Sequence, residues 1–286
     1  MTILSGMISI GAGAAVVRVD AARGGRLATV TVAGRELLVG PAPERGPLHW
    51  GSYPMAPWAG RIRHGRFPLA GRVHQLPLDG SLDRPPHAIH GTAYLQAWEV
   101  DAVGPDHVAL TCDLAWELGG RAWQHVEVDP SGVSCVLAVT ASDRAMPAEI
   151  GWHPWFVKPA SVGFRPMSMY ARDAEGIPTG ELVPAPPPPW DDCFVNVEPV
   201  ELRYPGLSVT VTSDCDHWVV FDEPSHATCV EPQSGPPDAF NLRQRVLAPG
   251  DQLRRTMHIG WRQLHPGRLG HAPQGGTRRA VTEAGG

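Results

Sequence analysis

Apolar and polar residues alternate along much of the chain. Val209-Thr210-Val211-Thr212 alternates cleanly, and Val133, Cys135, Leu137 and Val139 share one face of a second run, the period-two signature of a half-buried strand. The same reading predicts strands at 108–114, 125–128, 217–221, 228–230 and 256–259. Residues 14–19 and 26–32, separated by a segment containing Gly24-Gly25, predict an opening hairpin. Thirty prolines and 32 glycines punctuate the sequence too often for long helices. Short strands between turn signals predict an all-β fold, a large antiparallel β-sandwich or barrel, and exclude a βαβ repeat. The proline run at 184–189 predicts a stiff, extended connection that carries the chain across one end of a sandwich. Residues 1–264 are expected to form a single domain, and 265–286, rich in Gly, Pro, Arg and Thr without periodicity, a disordered tail.

Composition narrows the function. Of 286 residues, 43% are hydrophobic and 19% charged, the balance of a soluble globular protein. A net charge of −5 offers no basic footprint, so nucleic acid is not expected as a partner. Five cysteines without a C-x-x-C pair suit reduced thiols buried as small core residues. The apolar stretch 1–17 has no Lys or Arg ahead of its apolar part, so a signal peptide is not expected, and no run approaches the length of a membrane span. These features predict a cytoplasmic protein without a membrane partner.

Candidate chemistry is concentrated in five frames. Gly151-Trp152-His153-Pro154-Trp155-Phe156 and Cys229-Val230-Glu231-Pro232-Gln233 each set one titratable side chain before a proline, which biases it towards extended backbone. His153 and Glu231 are therefore expected to project from strand ends or rigid loops, and they suit a proton-transfer pair. Arg61, among apolar residues and turn formers in Pro57-Trp58-Ala59-Gly60-Arg61-Ile62, must meet a carboxylate of the fold or a ligand hydroxyl, whereas Arg63 and Arg66 are expected to be solvated. His87-Ala88-Ile89-His90-Gly91 offers a histidine pair that could ligate a metal, with His90 the better candidate for a ligand contact. Metal is not expected, because no zinc-type pattern or H-E-x-x-H occurs. Trp190-Asp191-Asp192-Cys193-Phe194 combines acidic groups for sugar hydroxyls with an indole for a sugar face.

These frames, continued by Pro237-Asp238-Ala239-Phe240-Asn241, occur in one order across roughly residues 14–262, and the ordered set resembles the aldose 1-epimerase family, the galactose mutarotases. The resemblance implies a galactose mutarotase-like supersandwich with a sugar cleft on one concave sheet. It also implies that Glu231 is the general base, His153 the general acid and His90 a second histidine near the ring oxygen. Arg61, Asp191, Trp155 and Gln233 are then substrate-binding, with Asp192 an alternative to Asp191. The resemblance implies no cofactor and a small-molecule sugar as partner, in a monomer or homodimer. Two departures stand out: Gly60 precedes Arg61 where the family commonly has Asn, and Trp155 follows His-Pro where Tyr is usual. Rival readings are a mutarotase for a hexose phosphate, recognised by Arg63, Arg66 and Arg72, and a specialised enzyme acting on another hemiacetal. Two others are a non-catalytic carbohydrate-binding protein and a metal-dependent enzyme using His87, His90, His153 and Glu231.

Overall fold

The computed structural model describes residues 6–78 and 86–264. The tail expected at 265–286 lies outside the described residues. Two large sheets, in which every strand pair is antiparallel, make up the architecture. The first has 11 strands, in the spatial order Met7–Ala12, Ala15–Asp20, Arg26–Val32, Ser52–Met55, Gly151–Val157, Ala227–Gln233, His217–Phe221, Asp191–Val195, Ser168–Arg172 and Pro178–Val183, with Arg35–Glu36 beside the third. The second has eight, centred on Arg121–Asp129, Gly132–Thr140, Gln252–Gln263 and Leu207–Ser213. Among the described residues the sole α-helix is the single turn Ala239–Leu242, and no helix is long and apolar enough to cross a membrane.

Six of the seven strand expectations fall inside observed strands and the seventh, 108–114, overruns His107–Asp113 by one residue, while the opening hairpin forms between Ala15–Asp20 and Arg26–Val32. The sheets bury their facing sides against each other. Trp152, Phe156, Trp218, Val220, Val230 and Phe194 from the first meet Val126, Leu137, Val139, Val209, Val211 and Ile259 from the second, all 0% exposed. A smaller apolar cluster, including Tyr53, Met55, Ile89, Tyr94, Trp155 and Cys229, lies on the other face of the first sheet. All five cysteines are buried and free.

Two expectations need correction. His153 and Glu231 sit in mid-strand, within Gly151–Val157 and Ala227–Gln233, not at strand ends or in loops. These strands are covered on both faces, so their residues are almost uniformly buried and show no alternation. The run 184–189 joins Pro178–Val183 to Asp191–Val195, two strands of one sheet, stepping past Ser168–Arg172 instead of crossing the sandwich end.

Candidate active site

Strand register assembles the site. Gly151 opposes Gln233 and Trp155 opposes Cys229, so in the same register His153 faces Glu231. The ladder lapses between those two pairings, where Pro154 and Pro232 each lack the N–H a paired strand needs. Neighbouring strands extend the row: Tyr53 pairs with His153, Val219 with Glu231, and Cys193 with Val219. Side chains alternate across a sheet, so this row of five points to the face opposite the inter-sheet core. All five line one cavity of about 720 Å³, within the range of small-molecule sites.

Every residue predicted for the site lines this cavity: Glu231, His153, His90, Arg61, Asp191, Trp155 and Gln233, with Asp192 beside them. His153 Nε2 lies 3.2 Å from Glu231 Oε1, and both side chains are buried. Glu231 Oε2 accepts from Gln233 Nε2 at 3.3 Å, while Gln233 Oε1 and His153 Nδ1 have no hydrogen-bond partner within the protein. The His153 ring is stacked between Tyr53 (centroids 4.8 Å apart) and Trp155 (5.4 Å), and Trp155 stacks in turn on His226.

Burial sets the protonation of the pair. It pushes the Glu231 carboxyl well above the carboxylate range, reinforced by the negative charge of Asp191 and opposed by Gln233 and Arg61. The same desolvation lowers His153 to about 3. The pair holds one proton, and burial places it on Glu231 with His153 neutral.

His90 is fixed through the first frame. Its Nδ1 accepts from the Gly60 N–H at 3.2 Å, and its own N–H donates to the Gly60 carbonyl at 2.9 Å. Burial, with His153 and Arg61 nearby, drives its pKa well below the usual value, so the neutral ring carries its hydrogen on Nε2 and serves as a donor. Gly91 has φ +75 and its Cα lies against the Ala56 carbonyl, leaving no room for a side chain. Asp238 clamps the frame from the other side: its N–H donates to the Arg61 carbonyl at 2.6 Å and its Oδ1 accepts from the Arg63 N–H at 2.9 Å. His87 goes elsewhere. It stacks on His64, accepts the His64 N–H on Nδ1 at 3.0 Å, and does not line the cavity.

Arg63 is ion-paired as well as solvated, its side chain 34% exposed. It pairs with Asp173 and with Glu175 (3.1 Å) because the segment 173–175 folds against it, whereas Arg66 is exposed as expected. Arg63, Arg66 and Arg72 do not line the cavity; Arg45, Arg61 and Arg172 do. Arg172 bonds the Asp191 carbonyl at 2.6 Å and pairs with Asp192 at 3.1 Å. Burial raises the Asp191 carboxyl, against Arg61 and Arg172.

Sequence reading missed Tyr53, His49, Tyr170, Arg172 and Arg26. Tyr53 lies four residues before the Pro57 frame, and its place two residues before Met55 on one strand face was the available signal. Arg26 carried none, since a lone Arg opening a strand reads as a surface residue.

The departure at Gly60 has a steric cause. Gly60 has φ +65, and a Cβ there would lie 2.8 Å from Pro237 Cβ and Cγ. Gly60→Asn is expected to displace Pro237, tilt His90 and destabilise by about 1–3 kcal/mol, rather than restore a family contact. Thermal melting checks this, and an unchanged midpoint would refute it.

Comparison with known proteins bears on the family and the fold. The Aldose 1-epimerase family pattern matches residues 7–260. The chain is 27% identical over 106 residues to the uncharacterized protein YphB of Escherichia coli (36% of this chain and 36% of YphB). It is 26% identical over 147 residues to the uncharacterized protein YihR of the same organism (46% of this chain, 44% of YihR). The chain thus spans well under two thirds of the curated relatives it matches. A galactose mutarotase-like protein from Clostridium acetobutylicum has the same fold, with a TM-score of 0.80, 16% identity and coverage of 92% of this chain and 98% of that one. With the profile covering nearly the whole described chain, the protein belongs to the aldose 1-epimerase family.

Proposed function

We propose that the protein is a mutarotase, an isomerase that interconverts the α and β anomers of a free sugar without a cofactor. The observation that carries this reading is the mid-strand pairing of His153 with Glu231 at 3.2 Å inside a cavity whose wall also holds His90, Arg61, Asp191 and Gln233. With a sugar bound, the ionised form of the pair is productive. Glu231 takes the proton from the C1 hydroxyl, His153 delivers one to the ring oxygen, and the C1–ring oxygen bond breaks to leave a free aldehyde. Rotation about C1–C2 presents the other carbonyl face, and the two transfers run in reverse. Proton count is conserved: the pair starts and ends with one.

The remaining residues orient the sugar. His90 Nε2–H donates to an oxygen near the ring oxygen, and Arg61 and Asp191 hold hydroxyls. The unpartnered Gln233 Oε1 accepts another, and Trp155 offers an aromatic face.

Charge balance favours a neutral sugar over a phosphorylated one. Arg45, Arg61 and Arg172 are set against Glu44, Asp191 and Asp192, while the His153–Glu231 pair with its single proton adds no net charge; Arg172 is engaged by the two aspartates, and Arg45 is anchored on the Gly40 carbonyl at 2.7 Å. A sugar phosphate is therefore expected to compete more weakly than its parent sugar. Stronger competition by the phosphate would overturn the substrate class.

The pH profile follows from the shifted pair. With His153 lowered to about 3 and Glu231 raised, the pair keeps its single proton across the range where an ordinary histidine titrates. On the acid side kcat/KM should stay level through 6.5, the usual histidine value; on the alkaline side it falls as Glu231 loses its proton above its raised pKa. An acid limb centred near 6.5 in a polarimetric pH series would contradict the assignment.

A further inference from the structure

The row of side chains on the cleft face does not stop at Cys193. Ser168 opposes Val195 and Met169 opposes Phe194, so in the same register Tyr170 faces Cys193 and extends the row by one. Three strand spacings, about 14 Å, separate the Glu231 backbone from that of Tyr170. The two positions between them carry the short side chains of Val219 and Cys193, and all four residues line the cleft. The row is therefore low in the middle and tall at both ends, with the His153–Glu231 pair at one end and half-buried Tyr170 at the other. In the cleft read as a sugar site, on which this inference rests, a pyranose ring with C1 at the pair lies over Val219 and Cys193. Its hydroxyls remote from C1, on C3 and C4, then turn towards Tyr170.

Tyr170 is held by two groups that the proton transfer does not use. His217 lies on the same face, two residues before Val219 in the strand His217–Phe221, and is 3% exposed. Its Nδ1 stands 2.6 Å from Asp216 Oδ1 and its Nε2 3.1 Å from the Tyr170 hydroxyl, with the two rings 5.7 Å apart at 28°. A carboxylate only accepts, so Nδ1 carries the imidazole hydrogen and donates it. Burial lowers the His217 pKa against the pull of Asp216, which keeps the ring neutral and leaves Nε2 an acceptor. The Tyr170 hydroxyl therefore donates to His217, and burial raises its own pKa so that it keeps the hydrogen it donates. A hydroxyl whose one hydrogen is committed has only lone pairs left to offer. Towards the cleft, Tyr170 can accept from a sugar hydroxyl and cannot donate to one.

We propose that Tyr170, oriented by His217 and Asp216, is a specificity-determining residue of the cleft, an acceptor that selects sugars with a free hydroxyl on C3 or C4. Tyr170 is the group that touches the sugar, and His217 and Asp216 are positioning residues.

Ligand-observed NMR titrations and anomerisation kinetics of the full chain test this with glucose, galactose and their 3-deoxy, 4-deoxy, 3-fluoro and 4-fluoro analogues. Tyr170→Phe keeps the ring and removes the acceptor. It is expected to bind the parent sugar about 3–10-fold more weakly, as a rise in KM with kcat nearly unchanged, because the contact is the same in ground and transition states. The deoxy and fluoro analogues of the contacted position have no hydrogen to give, so Tyr170→Phe should leave the affinity for both within about twofold of wild type. His217→Leu should shrink the wild-type preference for the parent over that deoxy analogue. A packing role alone would weaken parent and analogue alike and leave the preference intact. Equal weakening of the parent and every analogue in Tyr170→Phe, or unchanged affinity for the parent, would overturn the proposal while the mutarotase reading stood. A fluoro analogue weakened along with the parent, with its deoxy counterpart unaffected, would show Tyr170 to be a donor and overturn it as well. Failure of the folded wild-type protein to bind any of these sugars would overturn the sugar site itself and this inference with it.

Discussion

Glu231→Gln is expected to lower kcat for anomer interconversion by about 10³-fold while sugar affinity changes only a few-fold. The substitution keeps the shape of the side chain and its capacity to meet His153 Nε2 and Gln233, so the contacts that position the sugar persist. What disappears is exchange of the proton, because an amide cannot take the C1 hydroxyl hydrogen. His153→Gln should lose a similar factor. The double variant should be little worse than either single one, since acid and base act as a unit. The amide also removes a buried carboxyl whose ionised form the site disfavours, so the variant should be at least as stable as wild type, and lost turnover cannot be laid to unfolding. A folded Glu231→Gln protein within tenfold of wild-type kcat would refute the role.

Arg26→Met is expected to cost at least about 3 kcal/mol of stability and, with it, the shape of the cleft. Arg26 is 1% exposed. Its guanidinium donates to four carbonyls, Arg23 and Pro47 at 2.7 Å, Trp50 at 3.1 Å and Tyr94 at 3.2 Å, while lying 4.2 Å from the Trp50 ring and 5.2 Å from the Tyr53 ring. Burial lowers its pKa to about 10, so it stays charged at neutral pH. Methionine fills part of the volume but leaves the Trp50 and Tyr94 carbonyls buried without this donor. Because the same group holds Tyr53, on which His153 stacks, turnover should fall along with the melting temperature. Arg26→Lys should rescue little, since a single ammonium cannot reach all the acceptors of a planar fork. Melting within a degree or two of wild type would show that the four bonds carry no net stability.

Strands with one open face were more legible in the sequence than strands covered on both. Strands with one face in the core and one towards solvent, such as Arg121–Asp129 with its alternating burial, announce themselves by period. Gly151–Val157 and Ala227–Gln233 do not, because cleft walls cover the face the core leaves. The prolines that pointed to loops instead mark where two central strands stop pairing. Each predicted cleft residue drew attention through its frame, but nothing local says that His153 and Glu231 are cross-strand neighbours. That follows only from register between strands 78 residues apart, shown by Gly151 opposite Gln233 and Trp155 opposite Cys229. The ion pairs of Arg63 were hidden for a related reason: its partners Asp173 and Glu175 lie more than 100 residues away. Arg26 was invisible, since a charged residue in a strand reads as exposed unless its burial is known.

The measurement closest to the central claim is proton NMR of freshly dissolved α-anomers of glucose, galactose and several rarer sugars, with and without the purified protein. Faster approach to the anomeric equilibrium for at least one free sugar, abolished in Glu231→Gln, is the predicted result. Unaltered spontaneous rates for every free sugar with folded protein would contradict it.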